Sequence, residues 1–334
     1  MEIEQSQTIG IIGNGSWATA LVKIISAKSN VKVIWWMRDE ETSEYIQNHG
    51  HNPKYLSAVE FDRSVITTTT QIKLAFEMAD IIILAVPSAF LQSALNGYQI
   101  PQNKIVVSAI KGIEPTTKKV VADYLMQVHH LPLENIALIS GPCHAEEVAL
   151  EKLSYLTVSC TNSEIKNKIS ELLEGNFIRV SQTSDIIGAE YASVMKNIYA
   201  IGAGIAHGLG YGDNFQAVYV SACIREMEFL LDKIQGDHRN VNDAAYLGDL
   251  LVTCYSQFSR NRSFGTMLGK GYSVKSAQLE MNMIAEGYYA IDLMYQIALN
   301  LGGCPPILSA IHNVVYQAQS PKAIFKNLSQ IQLS

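Results

Sequence analysis

Residues 8–25 read TIGIIGNGSWATALVKII, and this stretch constrains the chain more than any other. A β-branched apolar run breaks at G-x-G-x-x-A (residues 13–18) and resumes with helical spacing. Gly13 permits the tight turn, Gly15 lets the backbone approach a pyrophosphate, and Ala18 allows close helix–strand packing. The N-terminus of the following helix then faces the anion. A plain strand-to-helix turn would carry the same glycines. The surrounding alternation favours dinucleotide binding, because the motif opens a series of strands and helices.

That series has candidate strands at 8–13, 31–36, 81–86, 104–109, 136–140, 156–160 and 177–181. Helical patterns at 88–95, 116–128 and 163–174 fall between them. Continuous apolar strands alternating with helices predict a mostly parallel sheet covered on both faces. From about residue 185 the strand pattern stops, and 185–210, 214–234 and 244–258 have helical periodicity. The expected architecture is an α/β, Rossmann-like, doubly wound sheet over residues 1–186, followed by an all-α domain over 187–334. The first would bind a dinucleotide and the second a substrate.

Composition excludes several classes. The chain has 334 residues, enough for two cores. Its longest dense apolar run, IIILAV, is far short of the roughly 20 residues a membrane-spanning helix needs. The start, MEIEQSQ, shows no secretory pattern. Five scattered cysteines without a C-x-x-C pair disfavour metal clusters and disulfide frameworks, so a reducing cytoplasm is expected. A net charge of −6 with no basic stripe argues against nucleic acid.

The second candidate strand ends WWMRDEE, where the reader of the adenosine ribose belongs. Arg38 favours a 2′-phosphate, and the adjacent Asp39 keeps NADH open. Four polar stretches then stand out: SAIKGIEP (108–115), SGPCHAEE (140–147), residues 194–214, and GDLLVTCYSQFSRNRSFG (248–265). Lys111 and Gly141 follow strands, at the edge where open α/β sheets bind ligands. Lys196 sits among apolar helical neighbours, either snorkelling to the surface or desolvated with a useful pKa. Asp249 and Thr253 share a helical face, and Asp249 is either a partner for a lysine or a helix-starting acid. Ser259, Arg260 and Asn261 are expected at the end of that helix. Arginine's planar fork suits phosphate oxygens, with an ordinary salt bridge as the alternative.

These blocks, together with AEGYYA (285–290), resemble the bacterial-type glycerol-3-phosphate dehydrogenases along almost the whole chain, in order and spacing. The resemblance implies reduction of dihydroxyacetone phosphate to sn-glycerol 3-phosphate with NADPH or NADH, feeding phospholipid synthesis. It implies cofactor contacts from Gly13, Gly15, Ser16, Trp17, Arg38, Lys111, Ala145, Arg260, Ile284 and Glu286. It also implies Lys196 as proton donor, with Lys111 and Asp249 completing the catalytic group. Substrate contacts would come from Lys111, Gly141, Cys143, Lys196, Asn197, Asp249, Thr253, Ser259, Arg260 and Asn261. Two residues depart from the family pattern: Cys143 stands where Ser or Thr is usual, and Ala18 replaces a common Gly. Arg262 is left between a ligand contact and a structural ion pair. No metal is called for, and the oligomer is left open, a homodimer included. A related hydroxyacid or sugar-phosphate dehydrogenase would need a different anion clamp, and a nucleotide sensor would have no use for a proton donor.

Overall fold

The computed structural model describes residues 7–236, 239–281 and 285–330. The chain forms two compact units, one of residues 1–110 and 119–186, the other of residues 111–118 and 187–334. The eight residues from Lys111 to Lys118 therefore leave the first unit's sequence and pack with the second.

The first unit is built on eight strands: β1 (Gln7–Ile12), β2 (Val31–Trp36), β3 (Ile66–Thr69), β4 (Ile81–Leu84), β5 (Ile105–Ser108), β6 (Ile136–Ser140), β7 (Ser154–Ser159) and β8 (Ile178–Thr183). They lie in the order β8-β7-β6-β5-β4-β1-β2-β3. Pairing is parallel except between β6 and β7. Ile9, Ile11, Ile81 and Ile83 are fully buried, as expected of strands covered on both faces. Helix α1 (Ser16–Ser26) adds Leu21, Val22 and Ile25 to the same core. The chain winds from β1 towards β2 on one side and reaches β4 on the other, so the order reverses beside β1. Ligands of open sheets bind at the carboxyl ends of the strands at such a point.

Two local expectations needed correction. Strand β3, ITTT, carries no strand signal in the sequence because three threonines make no apolar run. It is an edge strand whose β-branched residues pair with β2 from Val33↔Ile66 to Trp36↔Thr69. The helix expected from 116 begins only at Val121 and ends at Val128. Before it, the Glu114 carboxylate accepts from the Thr116 and Thr117 amides at 3.1 and 2.7 Å, which holds that backbone in a turn.

The second unit is helical after residue 187. The helices that matter to the site are α2 (Ile186–Gly208), α3 (Asp213–Ile234), α4 (Asp249–Tyr255), α5 (Arg260–Gly269), α6 (Glu286–Asn300) and α7 (Pro306–Val315). Helix α2 is buried nearly all round, which explains its lack of an exposed polar stripe. Tyr219 and Gln216 of α3 donate to the Tyr199 and Ala203 carbonyls of α2 at 2.9 and 2.7 Å. Glu226 of α3 accepts from the Ile307 and Leu308 amides, both at 2.8 Å, and so satisfies the first turn of α7.

Helices α2 and α5 meet backbone to backbone. A Cβ on Gly265 would overlap the Ile201 carbonyl oxygen, and one on Gly204 would overlap that of Arg262. Glycine at these positions lets α5, which begins with the arginine cluster, lie against the helix that carries Lys196. Gly265→Ala should therefore cost about 1–3 kcal/mol by overpacking. A lowered thermal midpoint checks this, with Gly236→Ala as the control, since a Cβ there meets only Asp232 O at 3.9 Å.

Candidate active site

In the first unit, the turn after β1 is held from two sides. Gly13 has φ +121°, and a Cβ there would come within 2.6 Å of the Ala85 carbonyl oxygen, just past β4. Its amide donates to Trp36 O at 3.0 Å, and its carbonyl accepts from Trp35 Nε1 at 2.6 Å. Gly15 caps α1 with extended backbone and no side-chain acceptor, and open space surrounds its Cβ position. The first-turn amides of α1 thus have no side-chain cap, and the turn is bare enough for a pyrophosphate to approach. Ser16 is buried at the first helical position and Trp17 half-buried beside it. Arg38 is exposed just beyond β2. These residues fit a dinucleotide. Gly141 (φ +104°) and the buried Cys143 follow β6, and Ala145 opens the short helix Ala145–Ala149.

The second unit holds the charged cluster. Lys196, on α2, is 5% exposed, and Asp249 is 1% exposed. Lys196 Nζ donates to Asp249 Oδ1 at 2.6 Å and to Thr253 Oγ1 at 2.9 Å. The Thr253 hydroxyl in turn donates to the Asp249 carbonyl at 2.6 Å. Lys111 Nζ lies 3.6 Å from the other carboxylate oxygen, Oδ2. Asp249 therefore answers two ammonium groups at once. A π-helical turn, Ala244–Gly248, runs directly into α4 and delivers Asp249 as that helix's first residue.

The sequence left Lys196 between snorkelling and desolvation, and the structure favours desolvation. Burial pulls its pKa down to about 8; Asp249 opposes the shift and Lys111 adds to it. Lys111 thus has the expected sign but is a smaller cause than burial. Asn197 Nδ2 donates to the Lys111 carbonyl at 3.1 Å and ties residues 111–118 to α2.

The serine–arginine stretch departs from the expected place. Helix α4 ends at Tyr255, and Ser259 begins a new helix, its Oγ accepting from the Arg262 amide at 3.3 Å. Arg260 and Asn261 are therefore first-turn residues of α5, where the helix's partial positive charge assists anion binding. Ser259 is a common N-cap residue, and that signal was present in the sequence. Asn261 Oδ1 accepts from the Gly287 amide at 2.9 Å, so a ligand contact by Asn261 falls to its Nδ2. Arg262 Nε is buried without a hydrogen-bond partner, and its charge acts on the Cys254 thiol in the interior. Glu286 heads α6 with Oε2 sealed and unbonded. Burial raises its pKa to about 7, against the pull of Arg260, Lys111 and Lys196. Ile284 lies outside the described residues. Sequence reasoning missed Asn52, a fully buried amide whose Nδ2 donates to Asn14 O and Thr19 Oγ1 at 3.0 and 2.9 Å.

Residues 8–166 match the model of the NAD-dependent glycerol-3-phosphate dehydrogenase N-terminus, and 185–326 match that of its C-terminus. A glycerol-3-phosphate dehydrogenase [NAD(P)+] of Chlorobium chlorochromatii is 34% identical over 315 residues, covering 93% of this chain and 94% of its own. One from Macrococcus caseolyticus is 32% identical over 323 residues, covering 96% and 97%. The crystal structure of glycerol-3-phosphate dehydrogenase from Coxiella burnetii superposes with a TM-score of 0.89 at 28% identity, covering 97% of this chain and 98% of that one. Both halves match in order, and the relatives match over nearly their full length. The chain belongs to the NAD-dependent glycerol-3-phosphate dehydrogenase family.

Proposed function

We propose that this protein reduces dihydroxyacetone phosphate to sn-glycerol 3-phosphate, reversibly, with NADH or NADPH, and so supplies glycerol 3-phosphate for phospholipid synthesis. One observation carries the assignment of roles: a lysine buried in the second unit, its ammonium held by Asp249 and Thr253, with a second lysine on the same carboxylate. The nicotinamide, when bound, supplies the hydride. Negative charge then grows on the substrate's ketone oxygen, and the Lys196 ammonium stabilises that oxygen and protonates it. In the reverse direction neutral Lys196 takes the proton. A pKa near 8 keeps both forms within reach of neutral pH.

Asp249 orients the ammonium, and Thr253, its hydroxyl committed on both sides, positions Lys196 from the same helix. Lys111 adds positive potential and contacts the substrate and the cofactor. Arg260 and Asn261 hold the phosphate at the first turn of α5, with Ser259 and Asn197 beside them. Gly141 and Cys143 would contribute from the first unit, Cys143 with backbone donors only. Phosphate binding away from the carbonyl orients the ketone for transfer. The cofactor is assigned to Gly13, Gly15, Ser16, Trp17, Arg38 and Ala145 in the first unit, to Lys111, Arg260 and Glu286 in the second, and to Ile284. Residues 1–186 serve as the dinucleotide-binding domain and 187–334, together with the 111–118 excursion, as the substrate domain.

No helix among the described residues is long and apolar enough to cross a membrane. The five cysteines are free, which fits the reducing cytoplasm we assign. The oligomer stays open, a homodimer included, and the exposed Leu251, Tyr255 and Phe258 would offer apolar surface for one.

The testing experiment adds dihydroxyacetone phosphate to the protein with each nicotinamide and follows cofactor oxidation. Turnover with at least one cofactor is expected. Turnover of a 2-keto acid but not of dihydroxyacetone phosphate would assign the protein to a different substrate.

A further inference from the structure

Strand β2 ends at Trp36, and the next residues leave the sheet at the edge where the glycine turn lies. Gly13 donates to Trp36 O and Met37 donates to Thr69 O, both at 3.0 Å. Arg38 and Asp39 follow immediately. An acid at this place accepts from the adenosine ribose 2′-hydroxyl and repels a 2′-phosphate, the arrangement of an enzyme restricted to NADH. In this protein the acid is occupied. Asp39 Oδ2 accepts from Lys54 Nζ at 2.5 Å and also from Thr42 Oγ1. These contacts, Lys54 first, hold the Asp39 carboxyl below its usual range.

Lys54 reaches Asp39 from an anchored backbone. The Asn52 side chain accepts from the Lys54 and Tyr55 amides at 2.9 and 3.2 Å, while its amide donates to Asn14 within the glycine turn. One buried side chain therefore clips the loop bearing Lys54 to the pyrophosphate turn. The ion pair itself is open, with side chains 55% and 38% exposed, and an exposed, solvent-screened pair adds little to stability. It can rearrange around an arriving dianion at little cost. Arg38, Asp39 and Lys54 together carry one net positive charge; without Lys54 they carry none. Glu41 also acts on Lys54, so the loss of that ammonium would leave an acidic edge.

We propose that Lys54 is a cofactor-selecting residue: by engaging the Asp39 carboxylate it removes the repulsion that would exclude a 2′-phosphate, and so opens the adenosine end to NADPH. The proposal rests on the dinucleotide reading of the first unit. It makes dual cofactor use a property of the Asp39–Lys54 pair, with Arg38 as the second cation.

Calorimetric binding of adenosine 2′,5′-bisphosphate and of AMP, at low ionic strength to limit screening, separates the two ideas. Lys54→Met should weaken the bisphosphate about tenfold, or about 1.4 kcal/mol, and leave AMP within about twofold. Asp39→Asn added to Lys54→Met should restore bisphosphate binding to within about threefold of wild type, because the repelling charge is gone. AMP binding also reports that each variant is folded. Equal losses for both nucleotides, no loss for either, or a bisphosphate loss that Asp39→Asn leaves unrepaired would each overturn the proposal. A wild-type protein that binds neither nucleotide would sink the cofactor reading and the proposal with it.

Discussion

Lys196→Ala is expected to lower kcat for dihydroxyacetone phosphate reduction by about 10²–10⁴-fold, the range for loss of a general acid. Cofactor affinity should change little, because the ammonium's hydrogen-bond partners are Asp249 and Thr253. The loss should appear in kcat and kcat/KM together, the pattern of an interaction made in the transition state. Retention of more than about a third of wild-type kcat would remove Lys196 from the chemistry. Asp249 would then be left with Lys111, at 3.6 Å, as its cation, so the variant does not strand a buried charge.

Arg260→Ala is expected to lower kcat/KM for dihydroxyacetone phosphate by more than about 30-fold. Truncating one side of a charge-assisted pair in a partly desolvated site costs roughly 2–5 kcal/mol. Lysine at this position should rescue only part of the loss, because a point charge cannot reproduce a bidentate fork. Unphosphorylated dihydroxyacetone provides the control. Wild type should use it poorly, and Arg260→Ala should make that no worse, since the partner of the fork is missing. A similar fractional loss on both substrates would place Arg260 on the cofactor or in the fold instead. Glu286, whose carboxyl feels Arg260 most strongly among the neighbouring cations, makes that alternative concrete.

The alternating sheet and the helical second half were legible in the sequence because their signals are local. Apolar strands buried on both faces need continuous runs such as IIIL, and helix α2 needs uninterrupted helical spacing. Strand β3 was not legible, since an edge strand of Ile-Thr-Thr-Thr carries no such run. The candidate lysine and its carboxylate were legible as residue types out of place among apolar neighbours. Their pairing was not, because Lys196 and Asp249 are 53 residues apart and only the packed helices bring them to 2.6 Å. Lys111 illustrates the same limit. Its position after β5 suggested a residue of the sheet's edge, yet its segment packs with the helical unit, where Asn197 holds its carbonyl. Ser259 was misplaced for a different reason. The apolar spacing of 244–258 runs past the helix end at Tyr255, so Ser259 falls at the end of one helical pattern although it caps the next helix. Asn52 and Lys54 lay in a polar stretch without periodicity, where only tertiary hydrogen bonds reveal their place.

The pH dependence of kcat/KM, measured in both directions, tests the role of Lys196 most directly. Reduction needs the ammonium, so its rate should hold below pH about 8 and fall above it, following the lowered pKa. Oxidation of sn-glycerol 3-phosphate needs the neutral amine, so its rate should rise through the same pH and then level. The two limbs should mirror each other about one inflection, and both should vanish in the residual activity of Lys196→Ala. Limbs running in the same direction, or an inflection that survives the substitution, would contradict the assignment of Lys196 as the proton donor.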